Sequence, residues 1–369
     1  MPTGTDLRRQ YLNEIDESAS KVLALPSSCY RDPAFFELEL EHVLRPGWHP
    51  ILRGDSLPDI GDYRAVDLFG EPLVIVRSDD QRLRVFSNVC RHRAHTVATG
   101  TGNAKSLVCP YHRWTYGLDG ALRGAPLMDD RTDFDRAQCG LPELRTELWQ
   151  GFLMVNLSPE TQLGNESQSG SVSEMLVGLD KRLESHDLAS MVTLGVLEFD
   201  SPWNWKIMAD NFMESYHHLG IHSDNLQQTN PAKNTYPVKT NGAYSLLENP
   251  GANDAPAFIV AQIFPSFLLA VVDGGPFASW YEMNIDRHDH IHLRIHAIAP
   301  PEIKAAPGAT EALVENLNTI HLQDIPACEA VQRGIASQLW QPGPLSHREG
   351  CLSVFHRYLS ERLRLPDRH

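Results

Sequence analysis

Between residues 211 and 222 the chain reads NFMESYHHLGIH, one carboxylate and three histidines in a single short stretch. Imidazole nitrogens and carboxylate oxygens are ligands for first-row transition metals. His217 and His222 are too far apart for one face of an ideal helix, on which they would diverge by about 140°. Gly220 lies between them and gives the chain a place to leave helical geometry, so that His222 can turn back toward His217 and share a metal with it. The competing reading is a helix end decorated with polar side chains, and local sequence alone does not separate the two.

A second group of ligand-type residues stands earlier. Cys90 and His92 occur in CRHRAHTV, and Cys109 and His112 in CPYHRW. Each pair follows an expected strand, and each loop offers one sulfur and one nitrogen. Structural zinc sites usually take paired cysteines from one knuckle and paired histidines from a helix. The mixed pattern instead suits a Rieske [2Fe–2S] centre, in which one iron keeps two thiolates and the other takes two imidazoles. His95 lies beside the motif, but its spacing fits neither pair, and a surface or supporting role is expected.

The elements that must carry these residues can be read from pattern. Residues 5–43 carry helical signals and end near Pro46-Gly47-Trp48. GEPLVIVR and RLRVFSNV around SDDQ make a hairpin pattern, LVCPYH and WTYGLDGALRG another, and ELWQGFLMVNL closes a small all-β unit near residue 157. The Ser-, Gly- and Gln-rich stretch 158–174 suits a linker or exposed loop. Beyond it, VTLGVLEF and strands at 258–272, 278–285 and 290–298 predict an antiparallel sheet, and 203–219 and 309–339 predict helices, the second interrupted at Pro326. The fold class is α+β: a β domain over 45–160, and a second domain from 1–44 and 161–369 with an antiparallel sheet covered by helices.

Composition removes several function classes. The chain has 369 residues, 42% hydrophobic, and a formal net charge of −15. It can bury a sizeable core, and it lacks the basic surface that nucleic-acid binding requires. The longest apolar run, FLLAVV at 267–272, is far short of a membrane span, and MPTGTDLRRQ has no apolar signal core, so a cytoplasmic protein without membrane or nucleic-acid partners is expected. Six cysteines in such a chain read as thiols or ligands, not as a disulfide framework.

Around its cysteine and histidine loops the sequence resembles the Rieske domains of ring-hydroxylating and N-demethylating oxygenases. The family usually has Gly where Arg113 stands and often Gly where Ala94 stands, so loop geometry or reductase docking is expected to differ there. NFMESYHHLGIH is similar to the family's mononuclear iron motif. The resemblance makes His217 and His222 two ligands of a two-His-one-carboxylate Fe(II) site and leaves His218 a neighbour. The carboxylate is expected from Asp324 in HLQDIPACEAVQRG, where Pro326 would start a new helix; Asp224 and Glu329 are the alternatives, and Asp324 as a helix cap is the bland one. Glu214 precedes His217 by one helical turn, close enough for a hydrogen bond. Most relatives place Asp there, bridging to a Rieske histidine of the neighbouring subunit. Glu is similar to oxygenases acting on carnitine, choline and glycine betaine, and the implied partner is His112. Asp210 and Asn211 stand where the family has an acidic residue and an Asn near the electron path and the active-site mouth. The resemblance further implies the helix-grip fold, a head-to-tail homotrimer, O₂ and a small organic molecule as substrates, and NAD(P)H acting only indirectly, through a flavin/iron–sulfur reductase or a ferredoxin.

For the substrate the sequence offers one negative feature. No Lys, Arg or His occurs between Lys239 and Arg287, a segment expected to supply walls of the pocket. A carboxylate-bearing substrate would lack a cation there. Phe264, Phe267, Phe277, Trp280 and Tyr281 could cage a quaternary ammonium by cation–π attraction, or could equally be core. HDHIHLRIHA places His290, His292, Arg294 and His296 on one strand face, expected to be a solvated sheet face and not a metal site. The favoured function is oxygenation of an N-methyl compound. The alternatives are aromatic hydroxylation and a non-catalytic Rieske electron carrier, and the carrier would not use the second ligand set or the second domain.

Overall fold

The computed structural model describes residues 4–158 and 170–364, which fall into two compact units, 1–49 with 169–369, and 50–168. Most of the expected linker, residues 159–169, lies outside the described residues. Its end is not a loop: Ser171 caps the helix Val172–Met175, accepting from the Glu174 amide while Glu174 reaches back to the Ser171 amide.

The smaller unit is built from short antiparallel strands. Glu71–Arg77 pairs with Leu83–Ser87 and with Asp62–Leu68, whose other side takes Thr101–Asn103. Leu107–Val108, Thr115–Tyr116 and Leu122–Gly124 form a second sheet, and Phe152–Asn156 folds back on Arg145–Trp149 in a third. The apolar run Val74-Ile75-Val76 is buried without alternation, as in a strand covered on both faces. Val74, Val76, Phe86, Leu107, Tyr116 and Trp114 pack in one cluster that also encloses Cys90 and Cys109. Each such side chain contributes about 1.5–3 kcal/mol by leaving water. The cluster therefore anchors both loops that carry the candidate ligands.

The larger unit centres on a seven-stranded antiparallel sheet with the order Val192–Ser201, His290–Ala299, Ala278–Arg287, Phe267–Val272, Phe258–Ile263, Tyr244–Asn249, Tyr236–Val238. The predicted strand 258–272 is two strands, turned at residues 264–266. The long helix Ala309–Gly334 packs along Val192–Ser201, and Gly350–Leu363 packs on Tyr244–Asn249. Pro326 does not interrupt the long helix as its sequence suggested; it lies in the interior of an unbroken one. Interior proline normally costs about 3 kcal/mol, so tertiary packing holds this helix together. The expected helix over 203–219 is also corrected. It ends at Phe212, and the chain resumes as a 3₁₀ turn at Tyr216–Leu219. The break falls at Met213–Ser215, ahead of Gly220, whose φ of −111° needs no glycine.

That short helix is pinned at its start. The Asn204 side chain accepts from the Lys206 amide and donates to the carbonyls of Tyr30 and His288. Lys206, fully buried, donates to both oxygens of the equally buried Glu39 at 2.8 and 2.9 Å, among the ring faces of Tyr30, Phe35 and Trp205. The N-terminal segment thereby fixes the element that presents Asp210, Asn211 and, just beyond its end, Glu214.

Candidate metal centres

His217, His222 and Asp324 come together although more than a hundred residues separate the histidines from the aspartate. One ligand atom from each lies within 4.8 Å of the others, and among the described residues no other group of three His, Cys, Asp or Glu does so. His222 Nε2 is 3.0 Å and His217 Nε2 is 3.7 Å from Asp324 Oδ1. The distal nitrogens fix the tautomers. His217 Nδ1 meets Glu214 Oε1 at 2.6 Å and His222 Nδ1 meets Gln323 Oε1 at 2.7 Å; both partners are acceptors, so both Nδ1 atoms carry the proton. Glu214 Oε2 also accepts from the His217 amide, and Gln323 Oε1 from Asn225. Three lone-pair atoms therefore converge on one point, and Asp324 Oδ1 is buried with no hydrogen-bond donor. A donor set of two imidazoles and one carboxylate fits a divalent iron with open positions.

Burial pulls the His217 pKa down, but its hydrogen bond to Glu214 and the charges of Glu214 and Asp324 outweigh this and raise it above the ordinary value. His218 turns away to the Asn230 carbonyl at 3.0 Å, and burial lowers its pKa to about 4. Of the two alternative carboxylates, Asp224 is exposed and bonded to Ser223, and Glu329 pairs with Arg333. Neither joins the ligand group. Sequence reasoning missed Gln323, and its position next to Asp324 was the available signal.

Two cavities meet at Glu214, His217 and Asn211. The first, about 240 Å³, has one sheet face as a wall. Val260, Ala270 and Ser279 are register neighbours across three strands, flanked by Phe258, Val272 and Tyr281 on the same face. Phe212, Phe277, Leu317 and Ile320 add to the apolar lining. This divides the candidate aromatic set between cavity and core. Phe277 and Tyr281 line the cavity, but Trp280 points to the opposite face and stacks on His296, Phe264 stacks on Tyr358, and Phe267 is core. The second cavity, about 330 Å³, is lined by Asp210, Tyr30, Glu349 and Trp340 among others. Tyr30 donates to Asp210 Oδ2 at 2.7 Å, and His356 Nε2 lies 3.8 Å from Asp210 Oδ1. Elsewhere His290 sits between Asp286 and Asp200, Arg294 between Glu198 and Glu282, and His296 is buried, so that strand face is an ion-pair ladder and not a simple solvated one.

In the smaller unit the two ligand loops repeat one backbone pattern. The Ala94 amide donates to the Cys90 carbonyl and the Arg113 amide to that of Cys109, each at 3.0 Å, with Ala94 at φ 57° and Arg113 at φ 62°. These are conformations glycine favours, so a side chain at either position carries strain. The thiols of Cys90 and Cys109 are buried side by side, and burial raises the Cys109 pKa. The imidazoles of His92 and His112 lie toward solvent with ring centroids 4.6 Å apart, and Trp114 stacks on His92. Slight desolvation and the neighbouring His92 and Arg93 hold His112 below the ordinary imidazole value. A tetrahedral zinc would need all four donors around one point, which they do not share. A pair of thiols and a separate pair of imidazoles fit a two-iron cluster. Tyr116 Oη stands 3.2 Å from Cys90 Sγ while accepting from the Arg91 amide, so its hydroxyl can donate to that sulfur. His95 is exposed; its ring donates to the Thr96 carbonyl and its own carbonyl accepts from the Cys90 amide.

Comparison with known proteins finds a family for each part of the chain. Residues 47–143 match the family described as the Rieske [2Fe-2S] domain, and residues 188–365 the one described as the ring hydroxylating alpha subunit, catalytic domain. The carnitine monooxygenase oxygenase subunit of Acinetobacter baumannii is 29% identical, with 85% of each chain covered. The chloroplastic choline monooxygenase of Arabidopsis thaliana is 25% identical over 92% of this chain and 83% of its own length. A solved quaternary ammonium Rieske monooxygenase, whose structure bears on carnitine oxidation by gut microbiota and on inter-subunit electron transfer, superposes with a TM-score of 0.83 at 23% identity, covering 94% of this chain and 97% of its own. That last likeness is one of fold.

Proposed function

Because this chain belongs to the Rieske-type ring-hydroxylating oxygenases, with a [2Fe–2S] domain and a mononuclear iron domain, we propose that it is a terminal oxygenase acting on a small quaternary ammonium or N-methyl compound. The observation that carries the catalytic reading is the convergence of His217 Nε2, His222 Nε2 and Asp324 Oδ1 beside an apolar cavity. Those three residues would hold the mononuclear iron, and Cys90, His92, Cys109 and His112 the cluster. When bound, the two groups supply O₂ activation and electron storage. The balanced reaction takes substrate, O₂, two electrons and two protons to a hydroxylated substrate and water; a hydroxyl on an N-methyl or adjacent carbon then permits C–N cleavage.

The protein's own groups prepare this chemistry. Glu214 and Gln323 hold the Nδ1 protons of His217 and His222, fixing the ring orientations and leaving both Nε2 atoms as ligands. The sheet wall of Val260, Ala270 and Val272 would keep water from the reacting carbon, and Phe212, Phe258, Phe277 and Tyr281 supply aromatic rings to the lining for a cationic nitrogen. The choline- and carnitine-oxidising relatives support this substrate class. The aliphatic part of the same wall would also suit an aromatic ring, which is the second reading.

We further place His92 and His112 at the edge presented to electron-transfer partners. Arg91, Arg93 and Arg113 surround them, all exposed, and none is in an ion pair among the described residues. In a chain of charge −15 this local positive collar suits an acidic iron–sulfur reductase or ferredoxin. It also suits the acid-lined second cavity of a neighbouring copy, where Glu214 would reach the partner subunit's His112 in a head-to-tail homotrimer. Six free thiols favour a reducing, cytoplasmic setting, and no described helix is long and apolar enough to cross a membrane. The test is turnover by the iron-loaded protein with a reductase and NADH. Oxygen uptake with an aldehyde product from trimethylammonium compounds is expected, and ring hydroxylation of aromatic acids with no reaction on any quaternary amine would replace the substrate reading with the second one.

A further inference from the structure

The substrate cavity is selective in what it lacks. Among the described residues no Lys or Arg lines it, and its two acidic groups, Glu214 and Asp324, are both committed at the candidate iron site. The neutral polar groups are small or already engaged. His218 gives its Nδ1 proton to the Asn230 carbonyl, Ser215 donates to Asn249, and the Asn230 amide donates to the carbonyls of Asn249 and Pro256. The walls are Val260, Ala270, Val272, Leu317 and Ile320, with aromatic rings between them. Away from the metal, an anionic group entering this cavity would lose its hydration and find no cation. At the metal, Asp324 and Glu214 offset the two charges of a bound Fe(II), so no net positive end remains to draw it in. A quaternary ammonium has no N–H to satisfy and is attracted by aromatic faces.

We infer that the enzyme accepts N-methylated ammonium compounds whose remaining tail is uncharged, a hydroxyl, ester or alkyl group, and rejects those that end in a carboxylate. This rests on the reading of the cavity as a quaternary ammonium site and narrows it to one charge class. The selectivity is built from the sheet itself. The wall residues face the cavity by strand alternation, and a cation at any of them would require replacing a residue packed in the sheet. Asn316, exposed at the edge of the cavity, is a lining position where a long cation can be added without disturbing that packing.

The experiment measures binding to the iron-loaded holoenzyme by calorimetry, and turnover where a reductase supports it, with two matched pairs: choline against glycine betaine, and carnitine methyl ester against carnitine. Within each pair the uncharged-tail compound is expected to bind about a hundredfold tighter, the factor typical of leaving one buried polar group uncompensated. In Asn316→Arg the ratio is expected to fall at least tenfold, through a gain in carboxylate binding. Carboxylates that bind the wild-type enzyme as well as their partners, or an unchanged ratio in Asn316→Arg, would overturn the inference and leave the quaternary ammonium reading standing. Failure of all four compounds to bind, where a neutral aromatic such as indole does, would overturn both.

Discussion

His222 Nε2 and Asp324 Oδ1 face each other at 3.0 Å, each with a lone pair and neither with a proton to share while Gln323 holds the other ring nitrogen. Two acceptors at that distance repel unless a cation lies between them. Asp324→Ala should therefore lower iron from three to two per chain, abolish turnover and keep the visible spectrum of the cluster. Metal bound at a hundred times its Kd stabilises by about 2.7 kcal/mol, so chelation should lower the Tm of the wild-type protein and leave that of Asp324→Ala unmoved. Normal iron content in the variant would send the search for a third ligand elsewhere.

Tyr116 sets the electronic surroundings of the cluster. A hydroxyl donating to a ligating sulfur stabilises the reduced state more than the oxidised one. Removing it in Tyr116→Phe should lower the midpoint potential by on the order of 50 mV, about the value of one ordinary hydrogen bond in a one-electron couple, with the brown colour retained. Cys109→Ala, by contrast, should bleach the protein. A protein film titration reads both.

Glu214 touches His217 and opens onto the second cavity. Glu214→Gln keeps the size and loses the charge and one acceptor. Both metals should stay bound and assembly should be unchanged, while product formation slows by a hundredfold or more. If electrons cross between subunits, mixing inactive Cys109→Ala chains with inactive Asp324→Ala chains should restore activity after exchange. Fully exchanged assemblies that stay inactive would show that transfer does not follow that route.

The buried pair Lys206–Glu39 locks the N-terminal helices to the helix leading into the iron site. Burial raises the Glu39 pKa even though Lys206 opposes the shift. Lys206→Met leaves a carboxyl group without its partner and should cost about 3–5 kcal/mol in urea unfolding. The double change Glu39→Leu with Lys206→Met should recover most of that loss, which would identify it as the cost of a stranded charge.

Acid should destabilise the protein through His49. It is buried, donates from Nε2 to the Leu44 carbonyl at 2.6 Å and faces Ser266 Oγ at Nδ1, and burial lowers its pKa to about 4. Below the unfolded value of about 6.5 the unfolded chain takes up a proton that the native state refuses. The stability from this group is present above pH 6.5 and falls between 6.5 and 4 by up to about 1.4 kcal/mol per pH unit. Between pH 7.5 and 5.5 the wild-type protein should lose about 1 kcal/mol more than His49→Gln. Equal losses would mean that His49 titrates normally.

The sequence by itself determined which chemistry was available and where along the chain it stood. Cysteine and histidine spacing separates a mixed sulfur–nitrogen cluster from a zinc knuckle, and strand alternation and turn residues are local properties, so the β unit and the sheet of the larger unit were legible. Contacts between distant segments were not. Gln323 meets His222, Tyr30 meets Asp210 and Lys206 meets Glu39 across separations of 101, 180 and 167 residues, and no local pattern encodes them. Nor could local rules foresee that the helix would run through Pro326, because packing against the sheet outweighs the loss of one backbone hydrogen bond. The aromatic residues could not be divided between core and cavity for a related reason. Neighbours such as Trp280 and Tyr281 point to opposite faces of one strand, and only the tertiary structure decides which face is core and which is cavity.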